Sequence, residues 1–248
     1  MQELMFASLT AMQRNVASLE RIANNLANQF TPGYRREILA ERRLGSVTPP
    51  FPALMPASEA LSTDGGSAHR AEVLLDLRPA SLKQTAQPLD LAITGAGLFE
   101  VATPQGPAYT RRGQFQLDAQ GRMVTASGWP VIGHAGELLL NPGPVVITPD
   151  GTLRQDGQAR GQLRLLVAEE PTRLSGIGDG LYVAEGAMRL MAVGEVAIKQ
   201  GFLEGSNVDT AHEMVQLQRT VRHFETLHRV AQGYDEMMGT ALRKLGEQ

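Results

Sequence analysis

The chain contains no cysteine, which excludes disulfides, thiolate metal sites and cysteine nucleophiles. Aromatic residues make up only 5% of its 248 positions. No window holds the run of about 18 apolar residues that a membrane helix needs, so no membrane insertion is expected. Charge of one sign is also missing. A net −3 leaves no clustered basic footprint, so no nucleic-acid partner is expected. A cleavable signal peptide is not expected either, because Glu3, Arg14, Glu20 and Arg21 interrupt the first segment.

The strings that carry common chemistry are absent too. There is no P-loop, no H-E-x-x-H and no G-x-S-x-G, and Gly95-Ala96-Gly97 lacks the third glycine of a dinucleotide fingerprint and reads as a turn. His69, His134, His212, His223 and His228 have no metal-ligand spacing. The sequence therefore points to no catalytic residue, no cofactor and no metal.

What is present is a contrast between the ends and the middle. Met5, Leu9, Met12, Val16, Leu19, Ala23, Leu26 and Phe30 recur at steps of four and three, an apolar heptad seam that predicts one helix over 3–29. It stops at Thr31-Pro32-Gly33, where proline disfavours helix for its predecessor and glycine permits the reversal. A second stripe, Met214, Leu217, Val221, Phe224, Ala231, Met238, Leu242 and Leu245, predicts a long last helix. Its start is expected at Asp209 or Thr210, with Thr210-x-x-Glu213 as a capping box. Leu227, Val230, Tyr234 and Ala241 open an adjacent apolar face that one partner helix cannot cover, so neighbouring copies are expected on it.

Between the helices, the prolines of 44–88 predict extended backbone, with Leu74, Leu75 and Leu77 forming one strand. Glycine (26) and proline (14) then punctuate 89–200 into short strands, among them 89–93, 98–102, 114–117, 138–140 and 181–184, as in a compact antiparallel β domain. The fold class is α+β: an antiparallel coiled coil of N- and C-terminal helices plus a central all-β domain. The expected divisions are 1–43 with 206–248 (helical assembly), 44–88 (connection) and 89–205 (β-rich). Gly201 and Gly205 bracket Phe202-Leu203 and are expected to act as a hinge, Gly205 with positive φ. Asn24, Asn25 and Asn28 weaken the end of the first helix. They read either as local caps or as amides bonding to adjacent backbones in a packed array.

Four blocks carry a family resemblance. Ala23-Asn24-Asn25-Leu26-Ala27-Asn28 followed by Thr31-Pro32-Gly33-Tyr34-Arg35 closely resembles the N-terminal signature of bacterial flagellar rod and hook proteins. The blocks 89–99, 109–115 with 128–133, and 200–208 with 222–225 are similar to that family's core strands and C-terminal entry, in the same order. Gln29-Phe30 departs from the usual small and polar pair, and Leu98 stands where an aromatic is common. The short length and brief 44–88 segment look most similar to the proximal rod type, with a distal rod or hook-type subunit as runner-up. The resemblance implies a homo-oligomer that packs with other rod proteins in a helical assembly spanning the periplasm, after passage through the export apparatus. On that reading the assembly interface comprises Met5, Leu9, Met12, Val16, Leu19, Asn24, Asn25, Leu26, Asn28, Leu217, Val221, Phe224, Leu227, Tyr234 and Met238. A rival from another class is a carbohydrate-binding or hydrolytic β domain on an oligomerising stalk, which would need an aromatic platform built from Trp129, Tyr109 and Tyr182.

Overall fold

The uninterrupted helical pattern of the first segment, free of glycine and proline, forms α1 (Gln2–Ala27) in the computed structural model, which describes residues 2–43, 69–192, 194–195 and 197–246. The chain then runs through a long hairpin of β1 (Glu37–Arg43) and β2 (His69–Leu75) and a short β3 (Leu82–Gln84). Of the expected connection, 44–68 lies outside the described residues, and the strand read at Leu74 and Leu75 is the end of β2.

The β body follows as β4 (Leu91–Thr94), β5 (Leu98–Thr103), β6 (Gly106–Thr110), β7 (Phe115–Leu117) and β8 (Met123–Thr125). It continues through β9 (Ile132–Gly133), β10 (Gly136–Glu137), β11 (Val146–Ile147), β12 (Thr152–Gln155), β13 (Gln158–Gln162) and β14 (Leu165–Ala168). A single 3-10 turn precedes β15 (Leu174–Gly178), β16 (Leu181–Ala184), β17 (Met188–Leu190), β18 (Ala197–Gln200) and β19 (Phe202–Glu204), and α2 (Thr210–Gly246) closes the chain. The strand expected at 138–140 is displaced: β10 ends at Glu137, because Leu138 and Leu140 turn into the core from irregular backbone.

All strand pairs are antiparallel, and the largest sheet has the order β15-β16-β6-β5-β14-β17. Strand β5 is buried on both faces. Phe99 and Val101 enter the main core, where Phe99 meets Phe115 edge to face at 5.0 Å. Leu98 faces the other way into a smaller cluster with Tyr109, Leu166, Leu174 and Tyr182, which Leu75 and Leu77 cover from the hairpin leg. Such alternation is what a period of two dictates when both sheet faces are covered.

The helices lie side by side and run in opposite directions. Gln29, just past α1, accepts from the Thr210 hydroxyl at 2.6 Å, and Asn15 meets His223 further along both helices. The capping box is not formed. Asp209 is the N-cap, its carboxylate accepting from the His212 amide at 3.1 Å, while Thr210 turns to Gln29 and Glu213 is taken by arginines.

Candidate functional site

The root where helices, hairpin and β body meet is built from charge. The chain leaving α1 must bend sharply, and Gly33 does so with φ +69°, its amide bonded to the Glu204 carbonyl at 2.8 Å. A Cβ there would lie 2.5 Å from the Arg112 amide nitrogen, so no other residue fits this close approach. Arg35 and Arg36 follow, leading into β1, and their side chains go to different partners.

Arg35 turns to the β body. Its guanidinium donates to the Glu204 carboxylate at 2.9 Å and to the Arg78 carbonyl at 3.0 Å, and its amide donates to the Tyr182 hydroxyl. Arg111 takes the other Glu204 oxygen at 2.5 Å and donates to the carbonyls of Ile93, Gly95 and Gly97. The Ala80 amide completes the shell at 2.8 Å. Arg35, Arg111 and Glu204 are all sealed from solvent. Burial pushes the Glu204 carboxyl up, but Arg111, the Ala80 amide and Arg35 outweigh it and hold it below the usual carboxylate range. Burial is also the main cause of the lowered Arg111 and raised Tyr182 values.

Arg36 turns to the helices. It donates to the fully buried Glu213 of α2 at 2.6 Å, and Arg21 of α1 stands 3.6 Å from the second oxygen of that carboxylate. Asn207 braces the same dipeptide, accepting from the Arg36 amide at 2.7 Å and donating to the carbonyls of Asp76 and Arg78. Asn25 starts the hairpin: its amide group donates to the Glu37 carbonyl and accepts from the Glu37 amide, both at 2.9 Å, and from the Tyr34 hydroxyl. Burial, with Glu37 nearby, drives the Tyr34 hydroxyl well above its ordinary range.

Three sequence expectations change here. Asn25, expected at the assembly interface, is fully enclosed by its own chain in this structure, and its side chain is spent on β1. Asn28 acts as a local cap, donating to the Asn24 carbonyl and accepting from the Thr31 hydroxyl, while Asn24 is exposed. The Gly201–Gly205 hinge is pinned at both ends. Gly201 has φ +77°, bonds through its amide to Asp90 and through its carbonyl to Thr85 and Ala86, whereas Gly205 lacks positive φ and donates to the Ser81 carbonyl at 2.8 Å.

The helix faces divide unexpectedly. The stripe of α1 turned toward the rest of the chain is Ala11, Asn15, Ser18, Ile22 and Asn25, continued past the helix end by Gln29, and is largely polar. Met12, Leu19 and Leu26 sit half-buried beside it, and the other seam residues whose side chains are described face solvent: Val16 is 44% exposed and Phe30, past the helix end, 87%, with Ala23 between them. On α2, Leu217, Phe224 and Leu227 are half-buried, while Met214 (48%) and Val221 (39%) are exposed. The side chains of Met5, Leu9, Tyr234 and Met238 lie outside the described ones. The aromatic platform of the rival reading does not form: Tyr109 and Tyr182 are buried in the smaller cluster and Trp129 packs on the main core.

A rigidly rooted helix pair with apolar rows on its outside, beneath an independent β core, defines a structural building block. Comparison with known proteins gives it a family. Residues 5–35 match the flagella basal body rod protein family, 92–160 the flagellar hook protein FlgE/F/G D1 domain, and 199–244 the flagellar basal body rod FlgEFG protein C-terminal region. The chain is similar to the flagellar basal-body rod protein FlgF of Caulobacter vibrioides, at 28% identity over 100% of this chain and 99% of that protein. It is similar to FlgF of Rhizobium meliloti at 30% over 99% of both chains, and to FlgG of Caulobacter vibrioides at 31% over 94% of both. The chain belongs to the flagellar basal-body rod protein family, and is a structural subunit located at the basal body.

Proposed function

We propose that this chain is a proximal-rod subunit that polymerises, with its own copies and with other rod proteins, into the periplasm-spanning shaft that transmits torque. The observation that carries the reading is the pair of exposed apolar rows, Val16 and Ala23 on α1, continued by Phe30 in the turn just past it, and Met214 and Val221 on α2, each spaced by seven residues. A seven-residue repeat that stays in solvent is a helix face lacking its partner, and α1 and α2 already occupy each other's inner stripes. Residues 1–43 with 206–248 then form an antiparallel coiled-coil assembly unit, 44–88 the connection, and 89–205 the domain that braces neighbours. Placement in the proximal rod is supported by the brief connection and by FlgF relatives that cover the chain end to end. The role is structural rather than catalytic, in line with those relatives' names, and passage through the export apparatus accompanies it.

The test is incorporation. Val16→Asp combined with Val221→Asp places carboxylates in both rows, and purified basal bodies should then lack the subunit while the isolated protein keeps its circular dichroism spectrum. Normal incorporation of the double variant overturns the assembly role of the rows.

A further inference from the structure

We propose that Arg35 and Arg36 are positioning residues that act as a two-way latch, fixing the direction in which the helix pair leaves the β body before any neighbour binds. The guanidiniums of these adjacent residues go to different partners. Arg35 closes on Glu204 at the end of β19, and Arg36 on Glu213 in the first turn of α2. The two carboxylates belong to the segments on either side of the link between β body and α2, so the dipeptide straddles that link from outside. Asn207, within the link, accepts from the Arg36 amide and ties the same point to the start of the 76–80 segment.

The latch is sealed on both sides. Glu204 and Glu213 are both buried, and each is approached by a second arginine from a different element, Arg111 of the β body and Arg21 of α1. Swinging the helices away would pull one guanidinium off each buried carboxylate and break a short, buried charge-assisted hydrogen bond that no water replaces, so intermediate orientations of the helices are unfavourable and a single one is selected. Backbone flexibility does not compete. Gly33 is held to Glu204, Gly205 to Ser81 and Gly201 to Asp90, so the links that could have bent are bonded. The outward apolar rows of α1 and α2 are thereby aimed in one direction relative to the β body, which is the property a helical assembly demands of each subunit.

The absence of cysteine makes the test direct. Spin labels on Glu20→Cys and Ala119→Cys, both exposed, report the distance from α1 to the β body in the full-length monomer. A second pair, Gln105→Cys with Ala119→Cys, lies wholly within the β body and reports its integrity. One narrow α1-to-body distance is expected in the parent. Arg36→Gln and Glu204→Gln should each lose that narrow peak while the within-body distance is unchanged. A narrow α1-to-body peak in either variant with an intact body overturns the proposal. Should Glu204→Gln also lose the within-body peak, Arg36→Gln decides alone, since its contacts are to Glu213 and Asn207 rather than to the β core. The measurement is made on unassembled protein, so its failure leaves the rod assignment standing, and failure of incorporation leaves the latch standing.

Discussion

Among the described side chains, those of the β body most completely sealed from water are mainly apolar, Leu91, Phe99, Val101, Met123 and Leu153 among them beside a few such as Thr110, Arg111 and Glu204, whereas along the helices they are Arg21, Ile22, Asn25 and Glu213, and the apolar row is turned outward. One region has satisfied its hydrophobic surface within the chain. The other has paired most of its buried polar groups within the chain and left apolar area over. Apolar burial contributes about 25 cal/mol per Å², so the first region draws its hydrophobic stabilisation from its own chain, whereas the outward row of the second gains it only if another surface covers it, as proposed above. Buried polar groups fix geometry instead: a hydrogen bond contributes only about 1 kcal/mol net, yet leaving its partner unsatisfied costs more. On the proposed reading the helices are oriented by their own chain and stabilised by others.

The same substitution should separate the two regions. Val101→Asp puts a carboxylate among Phe99, Phe115 and Met123 with no counter-charge, at a cost of several kcal/mol. Against a total stability of about 5–15 kcal/mol, the isolated protein should fail to fold cooperatively in a thermal melt. Val16→Asp in the outward row should shift monomer stability by no more than about 0.5 kcal/mol, as for ordinary surface sites. Equal destabilisation by the two would erase the contrast.

The border between the regions responds to acid. Glu204 is held below its ordinary value, so its contribution is complete above the unfolded carboxylate range, near pH 4.3, and is lost as pH falls through the depressed folded value. Unfolding midpoints followed downward from neutral pH should fall less steeply in Glu204→Gln than in the parent. At neutral pH that variant should cost about 3–5 kcal/mol, because Arg35 and Arg111 remain buried without their anion. An unchanged acid slope would mean that the carboxylate carries no net proton linkage.

Much of the outline was legible in sequence because periodicity reports burial. The heptads gave both helices, glycine and proline gave the strand-rich middle, and Thr31-Pro32-Gly33 gave the turn at Gly33. The orientation of α1 was not legible in the same way. An apolar stripe reveals which face avoids water, but not whether the same chain supplies its cover, and here Ile22, Asn25 and Arg21 face inward instead. Arg35, Arg111, Glu204 and Asn207 all fall within the family-like blocks, yet no spacing rule joins residues so distant in sequence. Only the antiparallel return of β18 and β19 along β4 and β3 brings them together. The proline-rich composition of 44–88 also hid the β1–β2 pairing, whose register runs from Glu37 opposite Leu75 to Arg43 opposite His69.

The smallest expected effect tests whether the border belongs to the rigid region. A flexible hinge at Gly205 would make substitution there harmful, and the bracketing of Phe202-Leu203 by two glycines encouraged that expectation. Gly205 does not occupy the left-handed region, and a Cβ would sit 3.4 Å from the Ser81 carbonyl oxygen and 3.5 Å from its hydroxyl, ordinary contact distances. Gly205→Ala should then leave stability unchanged or raise it by under about 1 kcal/mol, because alanine restricts the unfolded chain without straining the folded one. Gly201, at φ +77°, is the matched control, and Gly201→Ala should cost about 1–2 kcal/mol from the crowding of Cβ in a left-handed conformation. Chemical denaturation of both variants gives the two numbers side by side. A destabilising Gly205→Ala with a neutral Gly201→Ala would restore the hinge to Gly205, and the helices would then leave the β body through a joint rather than a fixed root.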